Sequence, residues 1–193
     1  MKIYFVRHGE TDWTRQQRLQ GRQDIPLNER GIRQLEETGK RIAQMGLSID
    51  VILSSPLLRA RKSAELIAGA LGYPIEEIVT EPLFIERDFG RGEGTVIEDL
   101  GHRFPEDTHE DMESIEETCK RADKAIRRVV SAYSGKTVLV VAHGAILKAL
   151  LEAVSHGKIL YRDQSVRIAP GSIFCLEYRD GSFCLDNLEE IRS

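Results

Sequence analysis

Two short apolar runs constrain this chain more than any other feature. Ile3-Tyr4-Phe5-Val6 leads into Arg7-His8-Gly9, and Val138-Leu139-Val140-Val141-Ala142 leads into His143-Gly144. Each run is apolar at every position, the pattern of a strand covered on both faces by helices rather than wetted on one. In a parallel α/β sheet the carboxyl ends of neighbouring strands form the ligand crevice. If the two runs are neighbours, both histidines enter one crevice beside Arg7 and two glycines that let backbone come close. Two imidazoles and a guanidinium gathered in this way suit a phosphate group.

The rest of the chain alternates strand and helix patterns. A polar stretch from Thr11 to Pro26 precedes a helix expected to open at Asn28 and stop at Gly46, with Ile32, Leu35, Ile42 and Met45 at helical spacing. The strand Val51-Ile52-Leu53 runs into Ser54-Ser55-Pro56, where Ser55 reads as an N-cap and Pro56 as the first helical residue. That helix carries Leu57, Ala60, Ala64, Ile67 and Leu71 inward and ends at Gly72. Residues 80–113 read as a loop-rich lid. A long helix follows, with Ile115, Ala122, Ile126, Val129 and Tyr133 on one face. After the second histidine strand come a helix from about Ala145 to Val154 and a hairpin around Asp180-Gly181. The expected architecture is a three-layer α/β/α sandwich with a mostly parallel central sheet. It forms a single domain over residues 1–193.

Composition narrows the function. The chain has 193 residues, 41% hydrophobic and 30% charged, enough to bury a full core. A formal net charge of −4 lacks the basic footprint of a nucleic-acid binder, and no apolar run approaches a membrane span. The first residues are too short for a signal peptide. Cys119, Cys175 and Cys184 form no CxxC pair, and across the expected hairpin Cys175 and Cys184 sit diagonally. A cytoplasmic location follows, with no nucleic-acid or membrane partner and homo-oligomerisation left open. No His/Cys/carboxylate spacing suggests a metal.

A third strand also delivers chemistry. Ser54-Ser55-Pro56-Leu57-Leu58-Arg59 places Arg59 in the first turn of a helix whose free N–H groups favour an anion. Guanidinium forks suit the three equatorial oxygens of a phosphoryl group in transfer. Each residue also has an ordinary structural reading: His8 and His143 as hydrogen-bonded strand-end residues, Arg59 as a helix-surface cation paired with Glu65.

Taken together, Arg7-His8-Gly9-Glu10-Thr11, the stretch Arg18-Leu19-Gln20-Gly21-Arg22 through Leu27-Asn28-Glu29-Arg30-Gly31, Ser54-Ser55-Pro56-Leu57-Leu58-Arg59-Ala60, Glu86-Arg87-Asp88-Phe89-Gly90 and Val140-Val141-Ala142-His143-Gly144 resemble the histidine phosphatase superfamily, also called phosphoglycerate mutase-like. The five motifs stand in the family's order along nearly the whole chain. The resemblance implies that His8 is a nucleophile phosphorylated during turnover, and that Arg7, Arg59 and His143 hold the phosphoryl oxygens. Glu86 would protonate the leaving alkoxide and then activate water; Glu81, Asp88 and Glu93 are nearby alternatives. Gln20, Gly21 and Gly144 would join the substrate contacts. So would Thr14, which stands where many members carry asparagine. No cofactor or metal is implied.

Within the family, a phosphomonoester phosphatase acting on a small phosphorylated metabolite is favoured. The alternatives are a cofactor-dependent phosphoglycerate mutase and a non-catalytic phospholigand-binding protein. Between Arg87 and Glu113, three arginines face nine carboxylates, Glu106 and Asp107 among them, which suits a second phosphate poorly. Arg87 argues the other way, because mutases carry an arginine after the acid that can bind a substrate carboxylate. Gly92 replaces a tryptophan common among the phosphatases, which would widen the pocket.

Overall fold

The computed structural model describes residues 1–104 and 109–185. The strands are β1 (Lys2–Arg7), β2 (Val51–Ser54), β3 (Val79–Thr80), β4 (Val138–Ala142), β5 (Ile173–Arg179) and β6 (Ser182–Leu185). The helices are α1 (Asp12–Arg15), α2 (Glu29–Gln44), α3 (Leu58–Leu71), α4 (Ile97–Arg103), α5 (Ile115–Ala132) and α6 (Gly144–Val154). The strands form a six-stranded sheet in the order β3-β2-β4-β1-β5-β6. The first four in that order run parallel; β5 is antiparallel to β1, and β6 to β5. The mostly parallel sandwich read from the sequence is the fold observed.

Alternation along the buried strands divides the core in two. Ile3, Phe5, Leu53, Val138 and Val140 face α5 and α6, packing on Ala122, Ile126, Val129, Ile146 and Leu150. Tyr4, Val6, Ile52, Leu139 and Val141 face α2 and α3, packing on Leu35, Ile42, Ala60, Ala64 and Ile67. Thus β1 sends its following long helix to one face while β4, its neighbour, sends α6 to the other. A crevice opens at such a switch point, at the carboxyl ends of the two strands. Gly31 in the first turn of α2 tightens it: a Cβ there would lie 2.1 Å from the Glu10 carbonyl oxygen, so only glycine lets α2 press against the loop after His8.

Asn28 caps α2, its side chain accepting the Gly31 N–H at 2.9 Å. Ser114 and Glu117 form a reciprocal capping box on α5. Gly72 ends α3 in the left-handed region at φ 66°. The start of α3 differs from expectation: Leu57 is the N-cap, it makes no side-chain capping bond, and the helix begins at Leu58. Ser55 has been drawn into the crevice instead. Within the polar 11–26 stretch α1 forms, capped by Thr11. The 80–113 region holds 3-10 turns at Pro82–Phe84 and Gly90–Gly92 as well as α4, and the short β3 at the sheet edge runs into its first residue. Of the nine carboxylates between Arg87 and Glu113, Glu106 and Asp107 lie outside the described residues, as does the end of the expected domain from 186 to 193.

The hairpin turns at Asp180 and Gly181, both at positive φ as a tight two-residue turn requires. Cys184 pairs with Glu177, which leaves Cys175 diagonal to it, and among the described residues none of the three cysteines is in a disulfide. Among the described residues no helix is long and apolar enough to cross a membrane.

Candidate active site

Arg7 ends β1 in register with Ala142 at the end of β4, and the His8 N–H continues the ladder onto the Ala142 carbonyl at 3.0 Å. Register alone therefore sets His8 and His143 side by side, their ring centroids 5.0 Å apart. Both rings are buried.

The hydrogen bonds of His8 define its tautomer. Nδ1 lies 2.7 Å from the Gly9 carbonyl oxygen, which can only accept, so Nδ1 carries the proton. Nε2 then holds a lone pair, and Arg59 Nε donates to it at 3.3 Å. Burial first, then the charges of Arg59 and Arg7, hold the pKa of His8 well below 6.5. The ring is neutral and presents one bare nitrogen. Such a nitrogen can act as a nucleophile.

Arg59 does not point outward from α3 toward Glu65. Its Nη1 and Nη2 donate to the carbonyls of Gln23 and Gly21, each at 2.7 Å, which fixes the fork over His8. Glu65 pairs with Lys62 and Arg61 instead. Gly21 sits at φ 52°, and a Cβ there would strike the Glu93 carboxylate. Arg7 Nη1 donates to the Ile168 carbonyl at 2.7 Å. Burial lowers the pKa of Arg59 to about 10 and lowers that of Arg7 as well, with the nearby Glu86 charge opposing both shifts. Both remain cations at neutral pH.

Two buried side-chain atoms in this cradle have no hydrogen-bond partner among the described residues: Arg7 Nε and His143 Nδ1. A phosphoryl group offers acceptors only, and two unmatched nitrogens in its cradle fit such a guest. His143 Nε2 is engaged on the other side, 2.6 Å from Ser55 Oγ. Gly144 follows closely; a Cβ on it would stand 3.3 Å from Arg7 Cζ.

Among the carboxylates weighed for the acid, the structure brings Glu86 into the cradle. Its Oε1 accepts from Arg87 N at 2.9 Å and Ile146 N at 3.0 Å, and its Oε2 accepts from Ala145 N at 3.1 Å. The carboxylate thus caps α6 immediately after His143, which makes no side-chain cap itself. Glu81 pairs with Arg128, Asp88 with Arg22, and Glu93 accepts the Arg22 N–H. Gln20 is buried with its amide oxygen accepting the Thr11 hydroxyl at 2.9 Å. Thr14 is less involved: its hydroxyl donates to the Thr11 carbonyl and accepts the Thr11 N–H, a local cap of α1.

Several contributors escaped the sequence reading. Ser55 looked like a helix cap. Lys148, one turn along α6 from Gly144, is half-buried, its pKa lowered by burial and by the charge of Arg7. Arg121 on α5 donates to the carbonyls of Leu83 and Ile85 and grips both oxygens of Glu113, supporting the loop that carries Glu86. Glu113 also receives Arg22 at 3.4 Å. Arg22 and Arg121, from outside the 87–113 stretch, therefore offset the charges of Asp88 and Glu113, and the sequence charge of the stretch overstates the negative field there. Gly92 opens no space, because Met112 Cε lies 2.6 Å from where its Cβ would be. Among the described residues no cluster of three or more His, Cys, Asp or Glu side chains could hold a metal ion.

A model of the histidine phosphatase superfamily (branch 1) matches residues 3–190. The chain belongs to that superfamily. It is 44% identical over 155 residues to the uncharacterized phosphatase PhoE of Bacillus subtilis, covering 80% of this chain and 78% of PhoE. It is 30% identical over 190 residues to the probable phosphoglycerate mutase GpmB of Klebsiella pneumoniae, covering 93% of this chain and 86% of that protein. Among solved structures, it superposes with a TM-score of 0.83 on a phosphoserine phosphatase from Entamoeba histolytica in complex with 3-phosphoglyceric acid, at 27% identity and covering 100% and 96% of the two chains. The chain is thus a histidine phosphatase superfamily enzyme whose relatives include phosphatases and mutases.

Proposed function

We propose that this enzyme is a phosphomonoester phosphatase that hydrolyses a small phosphorylated metabolite through a phosphohistidine on Nε2 of His8. The observation that carries the reading is the proton arrangement at His8, where Nδ1 is committed to the Gly9 carbonyl and a bare Nε2 lies under Arg59. In the first step the Nε2 lone pair attacks phosphorus, the P–O ester bond breaks, and the leaving alkoxide takes a proton from the Glu86 carboxyl. In the second, water gives a proton to Glu86 and attacks phosphorus, the P–N bond breaks, and inorganic phosphate leaves. Arg7, Arg59 and His143 balance the charge on the equatorial oxygens, with Gln20, Gly21 and Gly144 lining the site. A contact from Thr14 would require it to leave its cap.

Arg87 favours hydrolysis over the mutase reading. It is fully buried, its Nε donates to the Glu113 carbonyl at 2.7 Å, and its guanidinium lies 4.8 Å from the Phe89 ring centroid. So placed, it is withdrawn from any substrate carboxylate. The higher identity to PhoE than to GpmB agrees.

The test is chemical trapping. A denaturing quench in alkaline detergent during turnover should capture a base-stable, acid-labile phosphate on wild-type protein and none on His8→Ala, which should also lose turnover. Substantial activity in the alanine variant would remove the phosphohistidine route. With 3-phosphoglycerate and a trace of its bisphosphate, phosphate release should outpace isomer formation; the reverse order would assign a mutase.

A further inference from the structure

Ser55 extends the pairing of β2 with β4, its N–H donating to the Val141 carbonyl at 3.0 Å. It is fully buried, and its Oγ lies 2.6 Å from His143 Nε2. A hydroxyl has one proton to give and two lone pairs to offer. The Leu57 N–H, at 3.4 Å, takes one of those lone pairs. The neighbouring hydroxyl of Ser54 is occupied with the Ser55 carbonyl at 2.9 Å and does not compete. Among the described residues, the acceptor left for the Ser55 proton is His143 Nε2.

We infer that Ser55 is a positioning residue that holds His143 in the Nδ1–H tautomer, so that the ring's single N–H is aimed at the phosphoryl oxygens. An imidazole nitrogen that accepts a hydrogen bond carries no proton, and a neutral ring must then carry it on the other nitrogen. That other nitrogen is the buried atom with no partner, Nδ1. Burial and the charges of Arg59 and Arg7 favour the neutral ring. The opposite tautomer would leave the Ser55 proton without an acceptor. It would also turn a lone pair toward phosphoryl oxygens, acceptor against acceptor. The catalytic half of this inference rests on the function proposed above; the tautomer itself does not.

The experiment is long-range 15N–1H correlation NMR on histidine-labelled protein without ligand, with the His143 signals assigned by their loss in His143→Gln. The expected spectrum shows a protonated Nδ1 and a bare Nε2. In Ser55→Ala the ring should shift to the Nε2–H form or a mixture, and Ser55→Thr, which keeps the hydroxyl, should restore the wild-type pattern. Turnover of Ser55→Ala should fall about 10–100-fold, the range for removing an outer hydrogen-bond partner of a working imidazole. The loss should be equal for p-nitrophenyl phosphate and an alkyl phosphate, since Ser55 acts on the phosphoryl oxygens and not on the leaving group. A wild-type ring protonated on Nε2, or an alanine variant that keeps the Nδ1–H form, overturns the assignment. Should the alanine variant not fold, the wild-type spectrum alone decides. The tautomer is read without turnover, so an enzyme lacking phosphatase activity would count against the proposed function instead.

Discussion

Glu86 accepts three backbone N–H groups, and this determines what its amide would do. In Glu86→Gln, Oε1 can keep Arg87 N and Ile146 N, but the new NH2 group faces Ala145 N, donor against donor. One hydrogen bond is lost, about 1 kcal/mol of stability. Folding and phosphate binding should survive. Turnover of alkyl phosphates should fall about 10²–10⁴-fold, the usual worth of general acid help. With p-nitrophenyl phosphate, whose leaving group hardly needs a proton, the loss should shrink. Equal losses on both substrates would assign Glu86 a purely structural place at the start of α6. At this scale the sequence was legible wherever chemistry sits at the end of a buried strand: Arg7, His8 and His143 need only the strand to be placed. Ser55 was misread for a physical reason. A hydroxyl before proline has every local mark of an N-cap, and only the neighbouring strand supplies the imidazole that claims it.

Between elements, Arg121 joins α5 to the segment that carries Glu86. Its side chain is 15% exposed and that of Glu113 is 13% exposed, so the pair is largely shielded from water. Arg121→Met keeps an unbranched apolar stem but leaves Glu113 and the carbonyls of Leu83 and Ile85 short of donors. We expect a loss of roughly 1–3 kcal/mol in denaturant unfolding. We also expect a larger fall in turnover for alkyl phosphates than for p-nitrophenyl phosphate, since the acid loop is what loosens. An unchanged ratio between the two substrates would detach Arg121 from the acid. None of this network can be read along the chain, because Arg22, Asp88, Glu113 and Arg121 come together only after the layers close. Helix bounds were legible from local signals, Asn28 and Gly72 among them. The β3 strand was not: two exposed residues carry no periodicity.

For the molecule as a whole, two buried neutral histidines couple stability to pH. In the unfolded chain each takes a proton near pH 6.5; in the native state each resists it to well below that value. Between those limits the unfolded state binds more protons, so stability falls as pH falls. The slope approaches about 2.7 kcal/mol per pH unit for two rings. Glu113, whose pKa is lowered below 4.5 chiefly by Arg121 against the opposing effect of burial, loses its contribution only in more acid solution. Denaturant midpoints between pH 7 and 5 should therefore drop steeply, and His143→Gln should flatten the slope. A wild-type profile level across that range would refute the burial argument. Sheet topology was legible up to the adjacency of the two histidine strands, which the shared chemistry implied. The placing of β5 against β1 was not, since an antiparallel partner leaves no mark in the β1 sequence.

That placement has a consequence for how the protein is made. β1 is translated well before either neighbour, for it lies between β4 and β5 and pairs with residues 138–142 and 173–177. Neither partner exists until translation has passed Ala142, a delay on the order of ten seconds at 5–20 residues per second. Throughout that interval Ile3, Tyr4, Phe5 and Val6 are an apolar segment without a strand to pair with, the kind that nascent-chain chaperones shelter and that aggregates when they do not.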